Sequence, residues 1–315
     1  MQDRTITIVG AGSIGVAFAI VFARAGERVV VSDPDPARRA RVDAEIAERL
    51  DDLSAHGLLE GDEAAIRARV RVADDLAGAL ASARHVQECA PENEALKRDL
   101  AREILALAPS DAVLASSSSA IGASRFAGQL PEGQRARCLV AHPGNPPYLV
   151  PVVEIVPAPF TDPAIADRTA DLFARCGMTP VRVAREVEGF VFNRLQGALL
   201  REAYCLVRDG VIGVADIDAL VRDGLGLRWS VIGPFETADL NTRGGIRAHA
   251  ARMGPAYARM GAERGQNDPW SEDLVARVEA ERRAALPIER WEDGVRARDV
   301  GLMRALAARR RGASS

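Results

Sequence analysis

Short apolar runs alternate with amphipathic stretches through the first half of the chain. The run Thr5–Val9 predicts a buried strand, which a glycine-rich turn joins to a helix that ends near Ala25. Further runs that predict strands are Arg28–Ser32, Val70–Ala73, His85–Glu88, Ala112–Ala115, Cys138–Ala141, Val152–Val156 and Val181–Val183. Helical patterns such as Glu94–Leu107 and Pro163–Arg175 lie between many of them. This alternation is typical of βαβ units with a mostly parallel sheet.

The second half of the chain is different, because from about Gly189 no run predicts a strand. The patterns there predict helices over Val191–Val207, Val214–Asp223, Glu236–Ala256, Trp270–Ala285 and Trp291–Ala308. We therefore predict an α/β domain with a mostly parallel sheet over residues 1–187 and an all-α domain over residues 188–315. By analogy with other folds of this kind, the helical domain is expected to complete a substrate cleft and to form a dimer contact.

Composition and charge narrow the possible function classes. A length of 315 residues suffices for two domains of ordinary size, and 48% hydrophobic with 27% charged residues excludes wholesale disorder. The 41 basic and 44 acidic residues leave a net charge of −3, whereas a nucleic-acid-binding domain is usually strongly basic. Four scattered cysteines and four scattered histidines predict neither a disulfide framework nor a metal site.

The uncharged stretch Thr5–Ala23 is close to the length of about 20 residues that spans a bilayer. Its three glycines favour a strand, a turn and a helix of a soluble domain. The leader that precedes it contains one acid and one base, unlike the positively charged start of a signal peptide. We therefore expect a cytoplasmic protein without a membrane partner.

The turn after the first predicted strand fits the pattern GxGxxG. It consists of Gly10, Ala11, Gly12, Ser13, Ile14 and Gly15. Because the motif follows an apolar strand and opens a helix, it predicts a dinucleotide-binding turn of the Rossmann type. Gly10 permits the tight turn, Gly12 lets the backbone approach a pyrophosphate, and Gly15 lets the helix pack closely on the sheet. The helix N-terminus offers N–H groups to the phosphates.

Asp33 ends the second predicted strand, eighteen residues after Gly15. A carboxylate at this position accepts hydrogen bonds from the adenosine ribose hydroxyls and repels a 2′-phosphate, so the sequence predicts NAD rather than NADP as the cofactor. Arg38 and Arg39 follow nearby. A solvated helix face is the simpler interpretation of both arginines, and a 2′-phosphate site is the alternative.

His142 follows the apolar run Cys138–Ala141 and so lies at the C-terminal end of a strand, where open α/β sheets bind ligands. Glu154 comes twelve residues later, on or beside the next strand. A histidine with a carboxylate partner is an effective general acid and base, because the carboxylate fixes the imidazole tautomer and stabilises the imidazolium. Taken by themselves, these two residues are more often a hydrogen-bonded structural pair.

Further motifs follow one another in the order of a known family. They are VQECAPENEALK (Val86–Lys97), ASSSSAI (Ala115–Ile121), HPGNPP (His142–Pro147), VVEIVP (Val152–Pro157), GFVFNRL (Gly189–Leu195) and GLGLRWSVIGPFETADLN (Gly224–Asn241). Together with the glycine-rich turn, they resemble the NAD-dependent 3-hydroxyacyl-CoA dehydrogenase superfamily from about Ile6 to Asn241. The resemblance implies a homodimer that transfers a hydride between a small-molecule substrate and NAD.

Carried onto the matching positions, the resemblance implies a catalytic set. Its members are the general base His142, its orienting partner Glu154, and two donors to the substrate oxygen, Ser119 and Asn193. Ser119 aligns best with the family's Ser-rich pattern, and Ser117 and Ser118 are alternatives in a shifted register. A polar strand end is the structural alternative for the serines, and a helix cap is the alternative for Asn193.

The resemblance implies contacts with the cofactor and the substrate as well. Glu88, near the end of its strand, resembles a family position close to the nicotinamide ribose, and Lys97 resembles a family lysine near the same pocket. Asn145, within HPGNPP, is expected to contact the substrate. The simpler alternatives are a solvated strand-end acid for Glu88 and an exposed helix lysine for Lys97.

The substrate class depends on the branch of the superfamily. Acyl-CoA enzymes usually carry an aromatic residue after the catalytic histidine, whereas Pro143 follows here, and HPGNPP is more similar to the lambda-crystallin and L-gulonate 3-dehydrogenase branch. Gly144 departs from the larger apolar residue usual in that branch, a change expected to enlarge the pocket or loosen the turn. Arg228 offers a bidentate fork for the carboxylate of a free 3-hydroxy acid, which a thioester lacks; a surface ion pair is the alternative.

The sequence thus predicts the NAD-dependent oxidation of a small L-3-hydroxy acid similar to L-gulonate. L-3-hydroxyacyl-CoA and L-carnitine are the alternative substrates. A non-catalytic relative, such as a lens structural protein, is expected to lack one of the catalytic residues, but His142, Glu154 and Asn193 are all present. A hydratase or another non-redox enzyme is disfavoured by the complete cofactor motif.

Overall fold

A computed structural model describes residues 4–243, 245–264, 273, 284, 287–290, 293, 296–297, 299–300 and 303–308. The chain divides into two compact units. The first comprises Met1–Arg194 with Arg296–Ser315, and the second comprises Leu195–Val295. This division falls after the predicted boundary between residues 187 and 188, and the end of the chain groups with the first unit.

The first unit is built on one eight-stranded sheet. Its strands are β1 (Thr5–Val9), β2 (Val29–Ser32), β3 (Val70–Val72), β4 (Ala83–Glu88), β5 (Val113–Ser116), β6 (Cys138–Pro143), β7 (Val152–Pro157) and β8 (Thr179–Arg182). They lie in the order β3-β2-β1-β4-β5-β6-β7-β8, and every neighbouring pair is parallel except β6 and β7. The connection from β6 to β7 spans only residues 144–151, which is too short for the crossover that parallel strands need. The predicted α/β class with a mostly parallel sheet is confirmed.

Helices connect the strands of this unit. They are α1 (Ser13–Arg24), α2 (Pro36–Ala55), α3 (Glu63–Arg67), α4 (Leu76–Leu80), α5 (Glu94–Leu107), α6 (Ala123–Ala127), α7 (Glu132–Arg135) and α8 (Pro163–Arg175). Capping side chains fix where several of these helices begin. The carboxylate of Asp35, just before α2, accepts from the N–H of Ala37, and the side chain of Asn93, just before α5, accepts from the N–H of Leu96.

The uncharged stretch near the start of the chain forms β1 and α1. Every residue of α1 from Gly15 to Ala23 is buried, and a helix that is apolar on all sides belongs in a protein core. The stretch is therefore explained by burial within the first unit. Within the described part of the chain, no helix has the length and apolar character needed to cross a membrane.

An aromatic cluster lies in the largest core of the first unit. The rings of Phe18 and Phe22 are 5.8 Å apart, and Phe173 packs 5.5 Å from Phe22. Met303, near the end of the chain, is buried in the same core. Arg296 forms ion pairs with two acids of α2, so both apolar and charged contacts place this late segment in the first unit.

The described part of the second unit contains helices and no strand, as predicted. The helices are α9 (Phe192–Arg208, which crosses the division between the units), α10 (Val214–Leu220), α11 (Gly226–Trp229), α12 (Pro234–Leu240) and α13 (Gly245–Arg264), with a π-helical turn at Val221–Leu225 and a 3-10 turn at Ile288–Arg290. The single predicted helix Glu236–Ala256 is wrong. Gly245 has a φ of +72°, and the Asp239 carboxylate accepts from the N–H of Ile246, so a new helix starts there. Most of the predicted helices over residues 270–285 and 291–308 lies outside the described residues.

Candidate active site

The glycine-rich turn has the geometry of a phosphate cradle. Gly10 has a φ of +107°, and a Cβ atom there would lie 2.7 Å from the Cys89 carbonyl oxygen. A Cβ on Gly15 would overlap the carbonyl oxygen of Gly10, so only glycine allows α1 to start so close to the turn. Beside Gly12 the space is open, since a Cβ there would approach only the Arg38 side chain, at 3.9 Å. No side chain caps α1, and its first N–H groups remain available to an anion.

Asp33 ties the end of β2 to this turn. Its Oδ2 accepts from the N–H of Ala11 at 2.7 Å, and its Oδ1 accepts from the N–H of Asp35 at 2.9 Å. Each carboxylate oxygen keeps a further lone pair for a ribose hydroxyl. Arg39 donates to the Asp33 carbonyl at 2.7 Å, which is an internal role that neither sequence alternative included. The remaining residues of the turn differ in exposure: Ser13 is exposed and Ile14 is half-buried.

His142 and Glu154 lie directly opposite each other on the antiparallel strands β6 and β7. His142 Nδ1 is 2.8 Å from Glu154 Oε2, and the two residues are only 6% and 3% exposed. The other carboxylate oxygen, Oε1, accepts from the N–H groups of Val191 and Phe192, at 2.8 and 3.0 Å. Both oxygens of Glu154 are therefore held, one by the imidazole and one by the backbone at the start of α9.

These contacts determine the charge and the tautomer of the pair. Burial raises the pKa of the Glu154 carboxyl, but the hydrogen bonds from His142 and from the N–H groups of Phe192 and Val191 lower it by more, so the pKa lies below its ordinary value. An ionised carboxylate only accepts hydrogen bonds, so Nδ1 of His142 carries a proton. Nε2 is then the nitrogen that can accept a proton from another group.

The four consecutive serines differ in their partners. Ser116 donates to Glu88 Oε2 at 2.5 Å, and Ser118 donates to Glu92 Oε1 at 2.5 Å. The hydroxyl of Ser117 accepts from Gln87 at 2.8 Å. The exposed Ser119 is the member of the four whose hydroxyl has no partner among the described residues, so it is the one available to a ligand.

Asn193 lies beside this serine. Its side-chain amide donates to the Ser119 carbonyl at 3.0 Å, which is a contact between segments distant in sequence and not the predicted alternative of a helix cap. The preceding residue, Phe192, has its ring 6.3 Å from the ring of His142. The structure thus brings Asn193 to Ser119, and Asn193 directly follows the residue whose ring contacts His142. The amide oxygen of Asn193 has no partner within the described ranges.

Glu88 and Lys97 form a buried ion pair. Lys97 Nζ lies 3.0 Å from each carboxylate oxygen of Glu88 and 3.2 Å from the Ala90 carbonyl, and Lys97 is 2% exposed. The alternatives of a solvated acid and an exposed helix lysine are therefore wrong. The predicted contact of both residues with the cofactor stays a prediction. The three ammonium donors of Lys97 are already used within the protein.

Glu92 is a residue of this region that the sequence interpretation missed. Its Oε1 accepts from the Ser118 hydroxyl and from the N–H groups of Ser119, Ala120 and Ile121, and its Oε2 is 3.8 Å from Lys97 Nζ. Burial raises the pKa of the Glu92 carboxyl, but the hydrogen bonds from Ser118 and the backbone lower it by more. The sequence contained a signal for this acid. Lys97 is the only lysine of a chain otherwise rich in arginine, which indicates a position that requires an ammonium group, and Glu92 is one of the carboxylates near that group.

Comparison with known proteins identifies the family. Residues 5–187 match the model of the 3-hydroxyacyl-CoA dehydrogenase NAD binding domain, and residues 189–289 match the model of the 3-hydroxyacyl-CoA dehydrogenase C-terminal domain. The chain belongs to the 3-hydroxyacyl-CoA dehydrogenase family. It is therefore an NAD-dependent oxidoreductase, and the predicted family, enzyme class and cofactor are confirmed.

Several relatives in this family are closely similar. A lambda-crystallin homolog of Bos taurus is 42% identical over 258 residues, which cover 81% of this chain and 79% of the relative. An L-carnitine dehydrogenase of Streptomyces griseus is 41% identical over 246 residues, which cover 78% of this chain and 72% of the relative. The crystal structure of 5-formyl-3-hydroxy-2-methylpyridine 4-carboxylic acid 5-dehydrogenase, an NAD+-dependent dismutase, superposes with a TM-score of 0.81 at 29% identity, covering 96% of this chain and 97% of that one.

Gly144 is the residue at which this chain departs from the pattern expected for its branch of the family. The structure shows a compact turn there. A Cβ on Gly144 would lie 2.5 Å from Val150 Cγ1 and 3.0 Å from the Val150 carbonyl oxygen. The N–H of Gly144 donates to the Val152 carbonyl at 2.9 Å. The glycine therefore neither enlarges a pocket nor loosens the turn, because valine side chains fill the space. The next residue, Asn145, is exposed.

The Gly144→Ala variant is expected to lower the free energy of unfolding by about 1–3 kcal/mol, because the added methyl group forces the valine-lined turn apart. Urea unfolding followed by circular dichroism measures the loss. Gly133→Ala is the matched control, since a Cβ on Gly133 meets no atom within 4 Å. Equal stability of the two variants would contradict the tight packing around Gly144.

Arg228 lies on α11 in the second unit and is exposed. Arg222, six residues earlier in the chain, forms an ion pair with Asp223. Arg228, in contrast, has no acidic partner in the described part of that unit. The predicted alternative of a surface ion pair therefore finds no support, and the guanidinium is available to another carboxylate.

Proposed function

We propose that this protein oxidises the 3-hydroxyl of a small L-3-hydroxy acid, similar to L-gulonate, to the 3-keto acid. The observation that carries the proposal is the buried pair of His142 and Glu154, in which the carboxylate is held by two N–H groups and by the imidazole. This arrangement leaves Nε2 of His142 as a base of fixed orientation. A structural histidine needs no such doubly anchored carboxylate at the end of a sheet where ligands bind.

In this proposal, His142 Nε2 accepts the proton of the substrate hydroxyl. Glu154 stabilises the resulting imidazolium, because its ionised carboxylate remains hydrogen-bonded to Nδ1. The Ser119 hydroxyl and the Asn193 side chain hold the substrate oxygen while negative charge develops on it. Bound NAD supplies the acceptor for the hydride of the carbinol carbon. Gly10, Gly12, Gly15 and the ribose ligand Asp33 would hold the cofactor.

The free acid is favoured over a thioester by two observations. L-carnitine, named for one relative, and the pyridine carboxylic acid, named for the structural neighbour, both carry a free carboxylate. Arg228 has no acidic partner within the described ranges, and a guanidinium binds a carboxylate through two parallel hydrogen bonds. A CoA thioester offers no carboxylate at that position, and it remains the second candidate because of the family to which the chain belongs.

A substrate panel tests this proposal. We expect L-gulonate to give the highest kcat/KM among L-gulonate, L-3-hydroxybutyrate, L-3-hydroxybutyryl-CoA and L-carnitine, followed by NADH absorbance. Arg228→Ala is expected to raise the KM for the free acid by about 10-fold or more with a smaller change in kcat, because a charged hydrogen bond contributes about 1.5–3 kcal/mol. Arg222→Ala, which removes an already paired arginine, is the control.

The alternative results are distinct. A CoA ester that exceeds every free acid by orders of magnitude would place this enzyme with the acyl-CoA dehydrogenases and give Arg228 a structural role. L-carnitine as the best substrate would keep the free carboxylate but change the substrate class. No turnover of any substrate, with tight NADH binding intact, would support a non-catalytic role.

We also propose a homodimer. Among the described residues of the second unit, only Cys205, Val207 and Thr237 are buried, while Val231 and Phe235 are each 82% exposed. Large apolar side chains that are exposed to this extent are typical of surfaces that bind another protein. Sedimentation equilibrium is expected to give a mass of two chains, and a mass near 33.7 kDa would contradict the proposal.

A further inference from the structure

Arg38 lies beside the glycine-rich turn with an unpaired guanidinium. A Cβ placed on Gly12 would be 3.9 Å from Arg38 Nη1, and no other heavy atom outside residues 11–13 comes within 4 Å of that point. Arg38 is exposed, in the first turns of α2. The guanidinium therefore stands at the open side of the turn, at the glycine whose backbone approaches the pyrophosphate of a bound dinucleotide.

The other arginines of α2 have partners within the protein. Arg39 donates to the Asp33 carbonyl, Arg41 pairs with Glu45, and Arg49 donates to the Ser13 carbonyl at 3.1 Å. Arg38 forms no hydrogen bond or ion pair with any residue that the structure describes. A solvated helix face explains an exposed arginine, but it does not explain why the unpaired one is the arginine beside Gly12.

The charges around the turn explain the need for a cation. Asp33 and Asp35 bring two carboxylates to the end of β2 and the start of α2, and Asp33 is bonded directly to the turn. The first turn of α1 contains no basic residue, so the helix N-terminus, equivalent to about half a positive charge, faces the two charges of a pyrophosphate without help from its own side chains.

We propose that Arg38 is a cofactor-binding residue whose guanidinium pairs with the pyrophosphate of NAD. The position beside Gly12 assigns it to the pyrophosphate and not to a 2′-phosphate, which would lie at the ribose that Asp33 binds. Because Arg38 is exposed, its contribution is screened by salt and falls within the range of an exposed charged hydrogen bond. This inference rests on NAD binding and not on the identity of the substrate.

The experiment measures ligand binding to the full-length protein without any substrate. Dissociation constants of NADH, NADPH, ADP-ribose and adenosine are determined for the wild type and for Arg38→Ala, Arg38→Lys and Arg41→Ala at about 50 and 300 mM salt, by calorimetry or, for adenosine, by ligand-observed NMR. Arg38→Ala is expected to weaken the binding of NADH and ADP-ribose by about 3- to 5-fold at low salt and by less at high salt. Arg38→Lys should recover most of the loss, and Arg41→Ala should match the wild type.

Three results would overturn the proposal. An equal loss of adenosine affinity would assign Arg38 to stacking on the adenine ring. A loss confined to NADPH would assign it to a 2′-phosphate. Affinities within twofold of the wild type for every ligand would return Arg38 to the solvated face of α2. Because none of these measurements involves turnover, failure of the proposed substrate class leaves them unaffected.

Discussion

Replacing His142 by glutamine is expected to lower kcat by about 10²- to 10⁴-fold while the dissociation constant of NADH stays within twofold of the wild type. Glutamine keeps a side chain that can hydrogen-bond to Glu154, but it cannot accept the proton of a substrate hydroxyl. The loss should appear in kcat and in kcat/KM together, because the proton transfer occurs only in the transition state. Steady-state NADH production and NADH binding measure the two quantities.

Two further variants make this result specific to the pair. His56→Gln removes another histidine, one that lies at the end of α2 and contacts the Asp52 carbonyl, and should leave kcat unchanged. Glu154→Gln should keep His142 in place but lower kcat, since a neutral amide stabilises the imidazolium less than a carboxylate does. A kcat of His142→Gln within tenfold of the wild type would show that another group is the base.

Lys97→Met is expected to lower the free energy of unfolding by about 3–5 kcal/mol, the largest stability effect that we predict for a single substitution. The reason is that Glu88, 3% exposed, would keep a buried charge without its cation. Lys97→Arg should also destabilise the protein, because a planar guanidinium does not replace an ammonium that is bonded to two carboxylate oxygens and a carbonyl in a buried site. Equilibrium urea unfolding measures both variants.

The matched control for this ion pair lies on the same helix. Arg102→Met removes an exposed partner of Asp99 on α5 and should cost less than about 1 kcal/mol. The double variant Lys97→Met with Glu88→Gln should recover part of the loss, since no unpaired charge remains. If Lys97→Met costs no more than Arg102→Met, then water or another cation compensates Glu88.

Much of the first unit could be predicted from local patterns. The apolar runs gave the correct order of the strands, because a strand buried on both faces, such as β2, β5 or β6, carries a continuous run and needs no distant information. The glycine-rich turn was equally local, since its residues meet within one turn of the chain. The break between α12 and α13 was missed, because it depends on the conformation of Gly245 and on a carboxylate that caps the next helix.

The sequence by itself determined the α/β class, the cofactor turn and the family, since each depends on the order of neighbouring residues. Only the tertiary structure decided the direction of β7, which places Glu154 opposite His142, and the burial of Lys97 against Glu88. It also distinguished Ser119 from its three neighbours and Arg38 from the other arginines of α2. These features depend on which atoms of distant segments come within hydrogen-bond distance, and such partners are brought together by packing and not by spacing along the chain.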